Sequence, residues 1–148
     1  MTREELTIKI QSIKRTKKLS WTSIASEISA ASPIFTTAAL LGQMCLTVAE
    51  ASKAAALFGL TAEEEATLTD VPYRGSLPPG PPTDPLIYRF HELVQVYGTT
   101  WKALIQEEFG DGIMSAIDFN MQLEREPNPN GDRVKITMSG KFLPYKRY

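Results

Sequence analysis

The sequence predicts an α+β fold: an N-terminal all-helical, helix-turn-helix-like bundle, then a small α+β dimerisation domain with a C-terminal hairpin. Three observations carry this prediction. Apolar residues recur at helical spacing through the first 70 residues, a tract dense in proline and glycine follows, and after Gly112 the apolar period drops to 2. The boundaries follow from them. Residues 1–70 form the helical bundle, 71–84 a Pro/Gly-rich linker, and 85–148 the α+β domain.

Leu6, Ile10 and Ile13 stand among Glu5, Lys9, Lys14 and Lys17, which predicts an amphipathic helix over 3–17. Ser20 caps a second helix holding Trp21, Ile24, Ala25 and Ile28, and Ser29 to Pro33 breaks the pattern. Thr36 or Thr37 is expected to open a third helix through Leu40, Leu41, Met44 and Cys45, with Gly42 weakening it but not ending it. Thr47 to Phe58 reads as a fourth helix stopped by Gly59, and Thr61 as the cap of a fifth.

Pro72, Gly75, Pro78, Pro79, Gly80 and Pro81 leave the linker extended and semi-rigid. Asp84 at the N-cap with Pro85 behind it starts a helix expected to end at Gly98, and a further helix spans 101–109 before Gly110. Ile113, Ser115, Ile117, Phe119, Met121 and Leu123 then alternate with more polar positions, so a strand is expected with these residues on one face. Residues 127–132 supply turn chemistry, and Val134, Ile136 and Met138 alternate again, completing a hairpin. A lone hairpin is marginal in water. This half is therefore expected to complete its core with another copy of the chain.

The 148 residues carry 16 basic and 17 acidic side chains, a formal charge of -1, so no global field draws a polyanion or an anionic bilayer. One cysteine, Cys45, and one histidine, His91, exclude an intrachain disulfide and a Cys/His zinc cage from a single chain. With no signal-peptide core and no long apolar run, a soluble cytoplasmic protein is expected, without nucleic-acid or membrane partners.

The helical half has the layout of a DNA reader but not its chemistry. Between residues 19 and 70 the only basic side chain is Lys53, and the segment 36–43 offers base edges nothing beyond Gln43 and two hydroxyls. The basic run Lys14 to Lys18 reads as a solvated helix end, Cys45 as a buried structural thiol, and His91 as a surface or interface imidazole. Arg89 and Glu92, three apart, share a helix face and by themselves read as a surface ion pair. Ser115 is less ordinary. A hydroxyl in an inward slot of an apolar row needs a partner, either a bound ligand or a tight backbone contact.

The run Tyr88-Arg89-Phe90-His91-Glu92, then Val96-Tyr97-Gly98-Thr99-Thr100, Lys102-Ala103-Leu104, and Phe109 through Ile117 closely resembles the cyanate hydratase (cyanase, cyanate lyase) family. Gly140-Lys141-Phe142-Leu143-Pro144 is similar to the family's ending as well. The resemblance spans the chain, diffusely in the helical half and specifically from about residue 84 onward. It implies a helix-turn-helix-like bundle with an α+β dimerisation domain, assembled as a homodecamer of five dimers, and a catalytic trio at Arg89, Glu92 and Ser115.

The implied reaction joins cyanate to bicarbonate, with bicarbonate as co-substrate and no metal or organic cofactor. The mixed species decarboxylates to carbamate, which breaks down to ammonia and carbon dioxide. Under this resemblance Arg89 binds the anions and Ser115 orients them as a hydrogen-bond donor. Glu92 either positions Arg89 or holds a proton for the departing nitrogen. The alternative function from another class is a helix-turn-helix transcriptional regulator with a C-terminal dimerisation domain.

Overall fold

A computed structural model describes residues 1–29 and 31–147. Its elements run α1 (Arg3–Thr16), α2 (Trp21–Ile28), α3 (Pro33–Leu40), α4 (Val48–Phe58), α5 (Ala62–Thr69), α6 (Pro85–Phe109), β1 (Gly112–Glu126) and β2 (Arg133–Pro144). The α+β order matches the sequence reading. Close contacts divide the chain into two units, Met1–Gly75 with Met121–Thr137, and Ser76–Asn120 with Met138 onward.

In the first unit, Leu6, Ile10, Ile24, Ile28, Leu40 and Leu68 are almost wholly withdrawn from water. They come from α1, α2, α3 and α5, with Ala51, Ala54 and Phe58 of α4 filling between them. Thr2, Ser20, Thr47 and Thr61 each cap a helix through a reciprocal box with the residue three further on, as short hydroxyl side chains at these positions dictate. Arg3 ties the helix ends together. Its Nη1 donates to the Thr67 carbonyl at 2.6 Å, and its Nη2 to the carbonyls of Ala39 and Met44 at 2.8 and 3.0 Å. A fixed cation thus meets the carbonyl ends of α3 and α5.

The basic run at the end of α1 is similarly engaged. Lys17 Nζ donates to the Leu57 carbonyl at 2.6 Å, and Lys14 stands 5.0 Å from the Trp21 ring centroid. The Ser32 hydroxyl donates to the Met121 carbonyl at 2.7 Å, holding the hairpin segment of this unit.

In this unit three expectations need correction. The third helix starts at Pro33, not at Thr36 or Thr37, because proline at the first helical position needs no amide partner. It also ends at Leu40, since Gly42 takes φ +82° and leaves the helix outright. Cys45 consequently falls in the turn beyond, where it is exposed and not a buried thiol.

In the second unit the Asp84 carboxylate caps α6 as expected, accepting from the amides of Leu86 and Ile87 at 2.9 Å each. Gly98 does not end the helix. One 25-residue helix runs from Pro85 to Phe109, because an interior glycine costs only about 1 kcal/mol and the flanking turns outweigh it. Gly110, at φ +90°, supplies the stop. No residue of α6 is buried. Beyond it the two strands form a two-stranded sheet. Phe109 packs on Phe142 with ring centroids 5.3 Å apart, and the Tyr145 amide donates to the Asp111 carbonyl at 3.0 Å.

Acid should loosen the helical unit first. Glu64, at 4 % exposure, accepts from Lys9 Nζ at 2.7 and 2.8 Å, and these bonds hold its carboxyl below the ordinary value of 4.5. Glu50 is depressed chiefly by the Ser29 hydroxyl. Groups depressed on folding add stability above their ordinary value and lose it as pH falls through the folded value. The melting temperature is therefore expected to hold steady near neutrality and fall below pH 4.5. Glu64→Gln should flatten part of that fall, as read by thermal unfolding across pH.

Candidate active site

Arg89 and Glu92 lie one helical turn apart on α6, so their side chains rise on one face. Arg89 Nη1 pairs with Glu92 Oε2 at 3.1 Å, with the two side chains 62 % and 46 % exposed. Pairs this open contribute little to stability, about 0–1 kcal/mol. What the pair fixes is direction. The Arg89 guanidinium carbon also stands 5.3 Å from the Tyr88 ring centroid. Tyr88 is a contact that spacing did not reveal, because adjacent helix residues do not share a face. His91 is half-buried, its ring 5.7 Å from that of Tyr88.

Ser115 is 6 % exposed and lies on β1. Its Oγ accepts from two successive amides, Ile117 at 3.0 Å and Asp118 at 2.9 Å. Successive amides of a regular strand point to opposite sides, so their convergence marks a local bulge. The expected alternation breaks here: Ile117 is 97 % exposed although it was assigned to the face of Ser115. Of the two partners that the sequence left open for Ser115, the chain itself supplies the tight backbone contact. With its oxygen accepting twice, the hydroxyl has its own proton left to donate, and among the described residues nothing accepts it.

Arg89 and Glu92 are thus brought together, whereas no hydrogen bond or ion pair among the described residues joins Ser115 to either. The described residues contain no cluster of three or more His, Cys, Asp or Glu able to hold a metal ion. No helix among them is long and apolar enough to cross a membrane.

Comparison with known proteins adds to this geometry. Residues 3–72 match the family model "Cyanate hydratase, N-terminal", and residues 79–147 match "Cyanate lyase C-terminal domain". The chain belongs to the cyanate hydratase family. A cyanate hydratase from Ralstonia pickettii is 62% identical over 148 residues, covering 100% of both chains, and one from Methylibium petroleiphilum is 61% identical with the same coverage. The crystal structure of a cyanase from T. urticae superposes with a TM-score of 0.81 at 37% identity, covering 94% of this chain and 96% of that one. None of these findings favours the transcriptional regulator.

Replacing Ser115 by alanine removes the acceptor of the Ile117 and Asp118 amides, and an ordinary intramolecular hydrogen bond contributes about 0.5–1.5 kcal/mol. Ser115→Ala is expected to lower the midpoint of chemical unfolding. It should also speed hydrogen exchange at those two amides, and unchanged exchange would show that the hydroxyl does not hold them.

Proposed function

We propose that this chain decomposes cyanate with bicarbonate, Arg89, Glu92 and Ser115 forming its catalytic trio. Family membership makes the protein an enzyme of the lyase class, and cyanate is the substrate for which its relatives are named. The observation that carries the reading is the identity of 62% and 61% over the whole chain with two cyanate hydratases.

The reaction joins two anions. Unit charges about 4 Å apart repel by about 4 kcal/mol at an effective dielectric of 20, so the site must supply positive potential before proximity helps. The Arg89 guanidinium suits this task, because its planar fork meets a pair of carboxylate-like oxygens and keeps its charge when desolvated. A bicarbonate oxygen attacks the cyanate carbon, a C–O bond forms, and electron density moves onto nitrogen, which takes up protons. Cleavage of the bicarbonate-derived C–O bond releases carbon dioxide and leaves carbamate. One further proton on nitrogen then frees ammonia and a second carbon dioxide.

Arg89 stabilises the charge that builds during attack. Ser115 presents a fixed O–H to a reactant oxygen or nitrogen, its own oxygen already bound by two amides. Such amide bonds polarise the hydroxyl and strengthen it as a donor. Glu92 positions Arg89 through the 3.1 Å pair and is the carboxyl at hand to carry a proton to nitrogen. No metal, organic cofactor, nucleic acid or membrane takes part in this reading. The protein acts in the cytoplasm as a homodecamer of five dimers, and Ser115 meets the Arg89–Glu92 pair across a boundary between copies.

Purified protein is expected to release ammonia from cyanate only when bicarbonate is supplied. Arg89→Lys keeps the charge but loses the fork, and should lower turnover by about 100-fold or more. Ammonia release without bicarbonate, or an Arg89→Lys enzyme with full turnover, would refute the proposal.

A further inference from the structure

Two strands pair in the hairpin, yet β1 has 15 residues and β2 has 12, so β1 carries residues that the ladder does not match one for one. The surplus shows beside Ser115, where Ile117 and Asp118 both turn their amides onto one oxygen. Gly140 of β2 lies against this stretch at two places. A Cβ built on it would collide with the Ser115 carbonyl oxygen and stand 2.6 Å from Met114 Cγ. Gly140 also lines an open cleft with Asp118, Phe119 and Asn120. Its φ lies outside the left-handed region, so the position demands space and not a turn.

We propose that Gly140 is a positioning residue for Ser115. The bare backbone of β2 closes onto the Ser115 carbonyl and keeps β1 on the bulged course that presents the hydroxyl oxygen to two amides. The O–H is thereby left with one direction in which to donate. This role in turnover rests on Ser115 being a substrate donor, as proposed above, whereas the hold on the bulge does not. Met114 can swing aside from an added methyl, but the Ser115 carbonyl is backbone and moves only if β1 moves.

The test compares Gly140→Ala with the double variant Gly140→Ala/Met114→Ala, in the full chain. Misplacing a reacting group by about 1 Å can cost about 100-fold, and both variants are expected to lose about that much in kcat. KM for cyanate and for bicarbonate should stay within about twofold, since the loss falls on the reacting geometry and not on binding. Hydrogen exchange at the amides of Ile117 and Asp118 should quicken in both. Wild-type kcat and exchange in Gly140→Ala would overturn the proposal. Recovery of both in the double variant would also overturn it, assigning the effect to packing on Met114. Loss of folded protein in both variants would do the same, making Gly140 a residue of hairpin folding. If Ser115→Ala turns over like wild type while Gly140→Ala quickens exchange, the donor reading of Ser115 fails and the hold on the bulge stands. Unchanged exchange beside an inactive Ser115→Ala sinks the Gly140 proposal alone.

Discussion

Leu86, Phe90, Leu93, Val94, Tyr97 and Trp101 of α6 are all exposed, and the helix has no buried residue along its 25 positions. Apolar surface left in water forgoes about 25 cal/mol for each Å² that burial would recover. An isolated helix draws most of its stability from packing one face. The C-terminal half therefore needs a covering that one chain does not supply, and Ile113, Ile117 and Met138 of the hairpin are exposed as well. Further copies of the chain are the covering proposed here, which makes assembly a condition of folding for this half as well as of catalysis.

The chemistry has the same requirement. A guanidinium that faces open water is screened, and its pull on two anions is correspondingly weak. Covering Arg89 with a neighbouring copy lowers the local dielectric and strengthens its field. The Glu92 carboxylate 3.1 Å away keeps the guanidinium from swinging freely. On the proposed mechanism the oligomer thus does three things at once. It buries α6, it desolvates Arg89, and it brings a Ser115 hydroxyl to a pair that lies elsewhere in its own chain.

Much of this was legible in the sequence because it is local. Ser20 and Thr61 cap their helices through short hydroxyls, Asp84-Pro85 starts α6, and Gly59 and Gly110 end helices at positive φ. The errors came where one residue type serves two purposes. Gly98 and Gly42 are both glycines in helical patterns, and the first is carried through by strong neighbouring turns while the second leaves the helix. Because the helix ends before Gly42, Cys45 lies in the turn beyond and is exposed. Within the candidate site, spacing predicts that Arg89 and Glu92 pair, whereas the catalytic role proposed for them rests on the family resemblance. The partners of Ser115 do not, because they are backbone amides, which carry no letter in a sequence.

Subunit mixing addresses the central point most directly. Arg89→Ala and Ser115→Ala proteins, each expected on the proposed mechanism to be inactive alone, are to be combined by co-expression or by joint unfolding and refolding, and the hybrids assayed for bicarbonate-dependent ammonia release from cyanate. If the guanidinium and the hydroxyl of one site come from different copies, some sites in each hybrid receive both intact groups and activity returns. Hybrids that assemble normally yet stay as inactive as their parents would show that the two groups must come from the same chain, contradicting a site shared between copies.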